Sequence, residues 1–366
     1  MKKSTALLTF LYLIIYIFAQ TSLKPLGKGT INDPFRISSL ENLCWINDRN
    51  FSDSITFNDK MSKHYIQTAD ISFPENIKSW DNGQGWMPIG YHTDYKKSYN
   101  FKGTYDGKGH TISNLFINRP YLNCVGLFYH FYADYNNELP EVKIQNLGLI
   151  DVDITGKSHV GSLVGNAEAS YIDKCYATGI VKSSNVAGGL IGCFGIMDNF
   201  VNERVTIAQI SNCFFKGSVT ANSIVGGITA YAAKIKIINC YSISELNSHQ
   251  SNAGGIIGLY YSSDNSLFNS YFNGTINCST EQKEGFDTFT KVTIKNTFWN
   301  SDLSPLFSAL NLSEYENVTS TNLKALSINE MKNDSTFIKS GWDFKNTWQI
   351  NKNINDGYPS FVWQKK

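Results

Sequence analysis

The chain repeats one pair of short segments at a period of about 27 residues, and this repeat constrains the fold more than any other feature. The first segment is a run of glycine and small apolar residues, found at 160–165, 187–192, 225–228 and 253–258. The second ends in Cys, Ser or Thr followed by an aromatic residue, and it occurs at 172–176, 210–214, 237–241, 267–271 and 294–298. Self-similarity of this kind is typical of a solenoid, in which each repeat packs only on its neighbours.

The spacing between the segments indicates where the coil accepts insertions. From the Cys position to the next glycine pair the distance stays at 13 or 14 residues in successive repeats. The return connection varies from 10 residues, between Gly165 and Cys175, to 21 residues, between Gly192 and Cys213. Insertions therefore enter on one side of the coil, and in repeat proteins that side often binds ligands.

Both segments have the composition of strands. They are short, rich in Val, Ile, Tyr, Phe and Thr, and bounded by Gly, Asn and Ser. No hydrophobic stripe of helical period runs through residues 100–300. We therefore predict an all-β fold, a parallel β-helix in which short strands climb by one strand spacing per turn.

Stacked repeats place equivalent residues on top of one another. We expect an Asn ladder at a turn, with Lys174 as the break in it; its members are Asn146, Asn212, Asn239, Asn269 and Asn296. We expect the next position to hold small buried side chains rather than disulfides, because Ser and Thr replace Cys there; its members are Cys175, Cys213, Cys240, Ser270 and Thr297.

The repeats divide the chain into four parts. Residues 1–19 have the pattern of a secretory signal peptide, with an uncleaved N-terminal anchor as the alternative. Residues 20–118 are predicted to form an N-terminal cap and the first rungs, with a helix over 40–46 after Ser38 or Ser39. Residues 119–300 hold the repeats. Residues 301–366 are predicted to form a C-terminal cap whose capping box opens at Ser327 and whose three Trp residues close the open end of the core, although the aromatic cluster could also be a sugar-stacking platform.

The ordered motifs resemble those of the GLUG-motif family. They are the Gly-x-Gly-Thr-x-x-Asp-Pro-Phe opening at 27–35, Trp-Met-Pro-Ile-Gly at 86–90, the run 103–112 and the repeated Gly-Gly-Leu/Ile-x-Gly. The resemblance implies a single-stranded, right-handed parallel β-helix. It also implies a secreted or cell-surface protein of the adhesin-like kind that is common in Bacteroidetes and related to repeats associated with IgA proteases. It supplies no catalytic residue, and this chain departs from the family pattern after residue 271.

Composition excludes several functions. The 32 basic and 31 acidic residues nearly balance, so the chain lacks the excess of positive charge expected of a nucleic-acid-binding protein. Seven cysteines without a Cys-x-x-Cys pair, and six histidines without a His-Glu-x-x-His motif, give no support for a metal site, a metalloprotease or any cofactor. We expect a monomer with no membrane span in the mature chain.

Two classes of function remain open. The sequence favours a non-catalytic protein that binds a surface glycan or a protein ligand. The alternative is a glycan-active β-helix enzyme, a polysaccharide lyase or glycosidase, which needs clustered acidic or basic groups on one strand face. Asp151 and Asp153 are the only acidic pair in register on a repeat strand, and the reading that the sequence favours for them is a solvated strand face or at most a calcium contact.

Two insertions on the variable side are the candidate ligand surface. They cover 129–142 and 196–207 and lie two repeats apart, so their roots should be about 10 Å from each other. Exposed aromatic and charged side chains suit recognition, and we predict that Tyr132, Tyr135, Phe200 and Arg204 contact the ligand. Insertions that bind nothing are the open alternative.

Overall fold

A computed structural model describes residues 21–49, 54–91, 99–132, 142–195, 208–249, 252–261, 264–278, 291–304 and 317–364. The described part is mostly parallel β-structure: 22 strands join in one continuous sheet, five form a second sheet, and two form an antiparallel hairpin. Except for that hairpin, every pairing between named strands is parallel, and strands that pair come from successive turns of the chain. This is the all-β, parallel β-helix-like architecture that the repeat predicts.

One turn of the coil consists of four strands. In the best-defined turn they are Tyr171–Asp173, Tyr176–Ser183, Val186–Gly188 and Ile191–Gly195. Each pairs with the equivalent strand of the next turn, so that equivalent residues of the repeat lie side by side. Each set of equivalent strands forms one wall of the coil, and the walls are numbered first to fourth in this order.

The strands follow the same sequence along the chain. The N-terminal segment contributes Phe35–Ile37, His64–Gln67, Ile71–Ser72, Thr104–Asp106, Thr111–Ser113 and Phe116–Val125. The first two walls of the repeats contain Lys143–Gln145, Gly148–Val160, Ala208–Ser211, Phe214–Ala221, Ile235–Ile238, Tyr241–Ser248, Asn265–Phe268, Tyr271–Phe272 and Thr275–Cys278. The third wall adds Ile224–Gly226 and Asn252–Gly254, and the five-stranded sheet adds Phe128–Tyr132, Val164–Glu168, Thr229–Ala233 and Ile257–Tyr260. The last turns are Lys291–Asn300 and Asn317–Leu326, and the hairpin is Trp348–Asn351 with Ile354–Phe361.

The interior of the coil is filled by stacked aliphatic side chains. One such column runs through successive turns in register, and every member is fully buried: Ile144, Ile172, Ile210, Ile237, Leu267 and Ile294. β-Branched residues suit this position because they pack well on a pleated surface. Burial of the column and its neighbours is the main stabilising contribution to the coil.

The predicted Asn ladder is present at the turn between the first two walls. Its residues adopt positive φ, between 49° and 55°, a region that Asn tolerates better than most residues. The amide of Asn239 donates to Asn212 Oδ1 at 3.1 Å, and that of Asn296 donates to Asn269 Oδ1 at 3.2 Å. Asn322 extends the ladder by one turn.

The predicted column of small side chains is also present, and its cysteines are free and fully buried. Each side chain donates to the carbonyl two residues earlier: Cys213 Sγ to Ser211 O at 3.0 Å, and Ser270 Oγ to Phe268 O at 2.9 Å. Each of these two atoms also accepts a hydrogen bond from the preceding turn. The backbone N–H of Cys175 donates to Cys213 Sγ at 3.3 Å, and that of Cys240 donates to Ser270 Oγ at 3.1 Å. The position therefore requires a small donor and acceptor, which explains why Cys and Ser interchange.

Short helices flank the coil. Leu40–Asn47 begins after the N-cap Ser39, as predicted, and Phe57–Met61 follows it. A 3₁₀ segment covers Glu75–Gly83. Near the other terminus, Ile328–Met331 begins at the capping box of Ser327 and Glu330, and Asp334–Ile338 follows. That these helices act as caps stays a prediction.

The C-terminal segment, residues 327–364, does not lie where the sequence analysis expected its tryptophans. Trp342 and Trp348 belong to a hydrophobic cluster outside the coil, separate from the interior one. From Trp342 onward the segment runs back along the flank of the coil. The physical reason is that successive turns present an outward stripe of aromatic rings that needs cover, whereas the last strand, Asn317–Leu326, is polar and mostly exposed.

Candidate functional site

An outward stack of aromatic rings forms on the flank, and we call it the aromatic stack; its members are Tyr176, Phe214, Tyr241, Tyr271 and Phe298. They occupy one register position in five successive turns. The first three centroid separations are 4.7, 4.8 and 4.9 Å, with interplanar angles of 11°, 3° and 6°. These separations match the spacing of neighbouring strands, so the stack follows from parallel pairing in register.

The C-terminal segment covers this stack ring by ring. Trp342 contacts Phe298, Trp348 contacts Tyr271, and Trp363 reaches Tyr176 at 6.0 Å between centroids. Hydrogen bonds add to the contact: the Tyr241 hydroxyl donates to Gln364 Oε1 at 2.8 Å, and the Tyr271 hydroxyl donates to the Pro359 carbonyl at 2.6 Å. The described part of the segment ends at Gln364, beside the first ring of the stack.

The aromatic stack stops because the preceding turn carries glycine at the same register position. Gly148 pairs with Tyr176, and a Cβ on it would lie 2.4 Å from the Tyr176 ring. The Asn ladder is interrupted at the same place, since Lys174 occupies the turn position with φ 51°. Asn212 therefore donates to Asp173 instead of to a ladder amide, at 2.8 Å.

A cavity of about 560 Å³ lies where both ladders break, and we call it the flank cavity. It is lined by Asp70, Gly109, Thr111, Asn146, Ile150, Lys174, Tyr176, Phe214, Trp363 and Gln364. Its volume falls in the range of small-molecule sites, roughly 300–1,000 Å³. Three of its lining residues are aromatic and five are polar or charged, so it joins apolar to polar surface as ligand pockets do.

The charged groups of the flank cavity are available to a ligand. The ammonium of Lys174 has no hydrogen-bond or ion-pair partner among the described residues, and its side chain is exposed. Asp70 exposes 71% of its side chain, and its Oδ1 accepts from the backbone N–H of Thr111 at 2.8 Å. This bond lowers the pKa of Asp70, so the carboxylate is ionised. Burial, together with the Asp70 charge, raises the pKa of Tyr176, so its hydroxyl stays protonated.

These protonation states favour binding over glycoside cleavage. A glycosidase needs two carboxyl groups, one of them with a raised pKa so that it can donate a proton. Asp70 is the single carboxylate among the residues that line the flank cavity, and its pKa is lowered. A lyase that used Tyr176 as its base would need the hydroxyl to be deprotonated first, and the raised pKa of Tyr176 opposes that.

Two further cavities, of about 440 and 410 Å³, flank Arg119 in the N-terminal part. Its buried guanidinium donates to Gln84 Oε1 at 2.8 Å, Asp81 Oδ2 at 2.5 Å and the Trp86 carbonyl at 3.1 Å. It thereby holds the loop in which Asp81 and Asn82 both adopt positive φ. Arg119 is engaged in structure and is not free for a ligand.

The predicted ligand residues lie largely outside the described part of the chain. Tyr135, Phe200 and Arg204 fall there, and Tyr132 is described only through its backbone, which pairs with Glu168. The roots of the two insertions are described. Phe128–Tyr132 and Ile191–Gly195 belong to one sheet and flank a single strand between them, as the repeat count predicts.

The acidic pair behind the enzyme alternative does not lie on a regular strand face. Asp151 has φ 54° and lies at an irregularity where the register of the pairing with Tyr176–Ser183 shifts. Its backbone N–H donates to the Thr178 hydroxyl oxygen at 3.0 Å. The alternation that would point Asp151 and Asp153 the same way is therefore broken. Within the described residues, no group of three His, Cys, Asp or Glu side chains could hold a metal ion.

Comparisons with known proteins agree with this fold. No established family description matches the chain. Over 168 residues, 46% of the chain, it is 36% identical to "Halomucin" of Haloquadratum walsbyi, and over 189 residues, 48% of the chain, it is 29% identical to "Immunoglobulin A1 protease" of Streptococcus sanguinis. The matches cover 2% and 9% of those proteins, so the chain spans a small fraction of either.

A solved structure resembles the chain over nearly its whole length. It is a Bacteroides ovatus protein described as a "putative immunoglobulin A1 protease", with a TM-score of 0.59, 19% identity and coverage of 93% of this chain and 95% of that one. At this identity the likeness concerns the fold alone. None of the described helices has the length and apolar character needed to cross a bilayer.

Proposed function

We propose that this chain is a secreted or surface-exposed β-helix protein that binds a ligand without altering it chemically. The observation that carries the proposal is the flank cavity, which joins aromatic rings to the exposed Lys174 side chain and an exposed carboxylate. The similarity to proteins named for a mucin and for an antibody protease supports a role outside the cell. Residues 1–19 would direct export as a signal peptide.

The ordered motifs support the further proposal that the chain is a GLUG-type repeat protein with a right-handed coil. The helices after Ser39 and Ser327 would protect the two ends of the coil. We expect the protein to act as a monomer, since the apolar stripe on its flank is already covered by its own C-terminal segment.

A second binding surface is proposed on the variable side, where Tyr132, Tyr135, Phe200 and Arg204 belong to the two insertions. Its support is that the strands Phe128–Tyr132 and Ile191–Gly195 run parallel in one sheet, so the connections that follow them leave from the same end. A ligand large enough to be a polymer or a protein could contact both insertions together.

The test is a binding screen of the purified chain against panels of surface glycans and surface proteins, with product detection in the same samples. Two variants accompany the wild type: Lys174→Asn alters the flank cavity, and a second variant shortens both insertions to the 10-residue connection found between Gly165 and Cys175. We expect binding without products, weakened in at least one variant. Cleaved glycan would refute the non-catalytic role, and a ligand bound equally by all three proteins would refute both proposed surfaces.

A further inference from the structure

The ligand class of the flank cavity follows from its chemistry, and this inference rests on the proposed function. We infer that the cavity binds one pyranose ring of an uncharged glycan. A pyranose has an apolar face of C–H groups and a rim of hydroxyls, each of which both donates and accepts hydrogen bonds. The flank cavity offers both kinds of partner, aromatic rings and hydrogen-bonding groups.

The apolar part of the lining is the end of the aromatic stack together with Trp363. One face of Tyr176 packs on Phe214, with 4.7 Å between centroids. The ring also lies against the backbone of Gly148, where a Cβ would come within 2.4 Å of it, so Tyr176 meets the cavity with the remainder of its surface. Trp363 borders the same space, and its own stacking partner, Phe361, lies 5.1 Å away on the side of the C-terminal segment. Rings held in this way present a rigid apolar surface at low entropic cost.

The polar side offers both donors and acceptors. Lys174 supplies an ammonium with three N–H donors, Asp70 supplies an ionised acceptor, and Asn146, Gln364 and Thr111 line the remaining wall. The hydroxyls of a sugar can accept from an ammonium and donate to a carboxylate, so both charged groups that line the cavity have a partner in this ligand class. One positive and one negative group leave the wall without net charge, which favours a neutral sugar over an acidic one.

A planar aromatic side chain of a peptide fits the cavity less well. Such a ring would contact the aromatic residues, but it would remove water from Lys174 and from Asp70 without adding a hydrogen bond to either beyond those that Asp70 Oδ1 makes with Thr111 and His110. An uncompensated loss of this kind weakens binding substantially. A saccharide satisfies both the rings and the charges, so it is the ligand class that the observations favour.

The break in the Asn ladder provides a sharp variant. Lys174 has φ 51°, a backbone region that Asn adopts readily, and Asn fills the equivalent position in the turns that follow. Lys174→Asn should therefore keep or improve the fold while removing the ammonium from the cavity. Lys182→Asn is the matched control, because Lys182 is exposed on the same turn and does not line the cavity. Tyr176→Leu removes the ring at the end of the stack.

The probes are the methyl glycosides of glucose, galactose, mannose and N-acetylglucosamine, with methyl glucuronide and N-acetyltyrosinamide for comparison. Saturation-transfer NMR detects binding, and titration calorimetry gives Kd. We expect at least one neutral glycoside to bind the full chain, with Kd raised about tenfold or more in Lys174→Asn and Tyr176→Leu and unchanged in Lys182→Asn.

The outcomes separate this inference from the proposed function. If only the glucuronide or N-acetyltyrosinamide binds, and Lys174→Asn or Tyr176→Leu weakens that binding, the neutral-sugar class is wrong while a ligand role for the cavity survives. If glycosides bind the wild type and both cavity variants equally, the sugar site lies elsewhere. If no probe binds and the wider panels also detect no ligand that depends on the cavity, both the inference and the binding role of this cavity are wrong.

Discussion

Replacing Trp348 with alanine should detach the C-terminal segment from the coil without unfolding the coil. Trp348 is fully buried and packs on Trp342 at 4.4 Å and Phe361 at 4.6 Å, with Tyr241 and Tyr271 both at 6.2 Å. Truncation of a buried Trp to Ala typically costs about 3–5 kcal/mol. All of these partners belong to the hydrophobic cluster outside the coil, so the loss of stability should fall on the C-terminal segment and not on the coil interior.

Hydrogen–deuterium exchange measures this loss region by region. A loss of about 3–5 kcal/mol should speed exchange of amides in 348–361 by roughly two to three and a half orders of magnitude, if they exchange through segment opening. Amides of the buried strands Ala208–Ser211 and Ile235–Ile238 should keep their protection. Trp348→Phe should cost much less, because the ring contacts remain and the indole N–H of Trp348 is buried without a hydrogen-bond partner.

Trp86→Ala is the matched control, since Trp86 is 2% exposed but belongs to the interior cluster. It should speed exchange in the N-terminal part and leave 348–361 protected. The reasoning would be refuted if Trp348→Ala exposed all regions together, which would mean that segment and coil form one cooperative unit. It would equally be refuted if exchange in 348–361 were unchanged.

Three further predictions concern the coil. In urea denaturation, Cys213→Ser should lower the free energy of unfolding by on the order of 1 kcal/mol, because Oγ can replace both hydrogen bonds of Sγ. Cys213→Ala should cost about 1–3 kcal/mol more, because it leaves the Cys175 N–H unpaired. Equal losses in the two variants would contradict a hydrogen-bonding role for this side chain. Arg119→Met should cost roughly 3 kcal/mol, because the loop of Asp81 loses the hydrogen bonds that hold it, and an unchanged melting temperature would contradict it. Burial and the neighbouring His159 lower the pKa of His130 to about 4, so the unfolded chain binds the proton more tightly. The stability that neutral His130 provides should be complete above about pH 6.5 and should decline by roughly 3 kcal/mol as the pH falls toward 4. In a plot of the free energy of unfolding against pH, His130→Asn should flatten this part of the curve. A variant curve parallel to that of the wild type would exclude His130 as the source of the decline.

The sequence predicted the repeat geometry well because parallel stacking turns each repeat position into a column. The Asn ladder, the column that contains Cys213, the break at Lys174 and the shared sheet of the two insertion roots could all be read from spacing alone. Each of these features depends only on contacts between neighbouring turns, so it follows directly from residue type and register.

The position of the C-terminal segment could not be read in the same way. Its tryptophans lie far in sequence from the rings they cover: the Tyr241 hydroxyl bonds Gln364, which lies 123 residues further along the chain. Composition shows that aromatic residues need burial but not which surface buries them. A signal was present nonetheless, because Tyr or Phe follows the Cys column in every turn from Tyr176 to Phe298 and so marks an outward apolar stripe.

The flank cavity was missed for a related reason. From the sequence alone, Lys174 is only a break in the Asn ladder, and nothing at Gly148 indicates that a stack of rings ends there. In a regular solenoid each ladder group is saturated by its neighbours: the amide of Asn239 bonds Asn212, and the ring of Phe214 is stacked on both faces. Such groups have nothing left to offer a ligand.

Free binding capacity in this fold therefore arises where a ladder is interrupted. At Lys174 the turn position holds a side chain that cannot continue the Asn ladder, and at Gly148 the ring position holds none. Because the two interruptions fall in adjoining turns, they open one cavity, which the Lys174 side chain and the end of the aromatic stack both border. Restoring either column should close the site while making the coil more regular. Stability and binding should thus change in opposite directions in Lys174→Asn, and a variant that lost both together would show that the interruption serves the fold instead of a ligand.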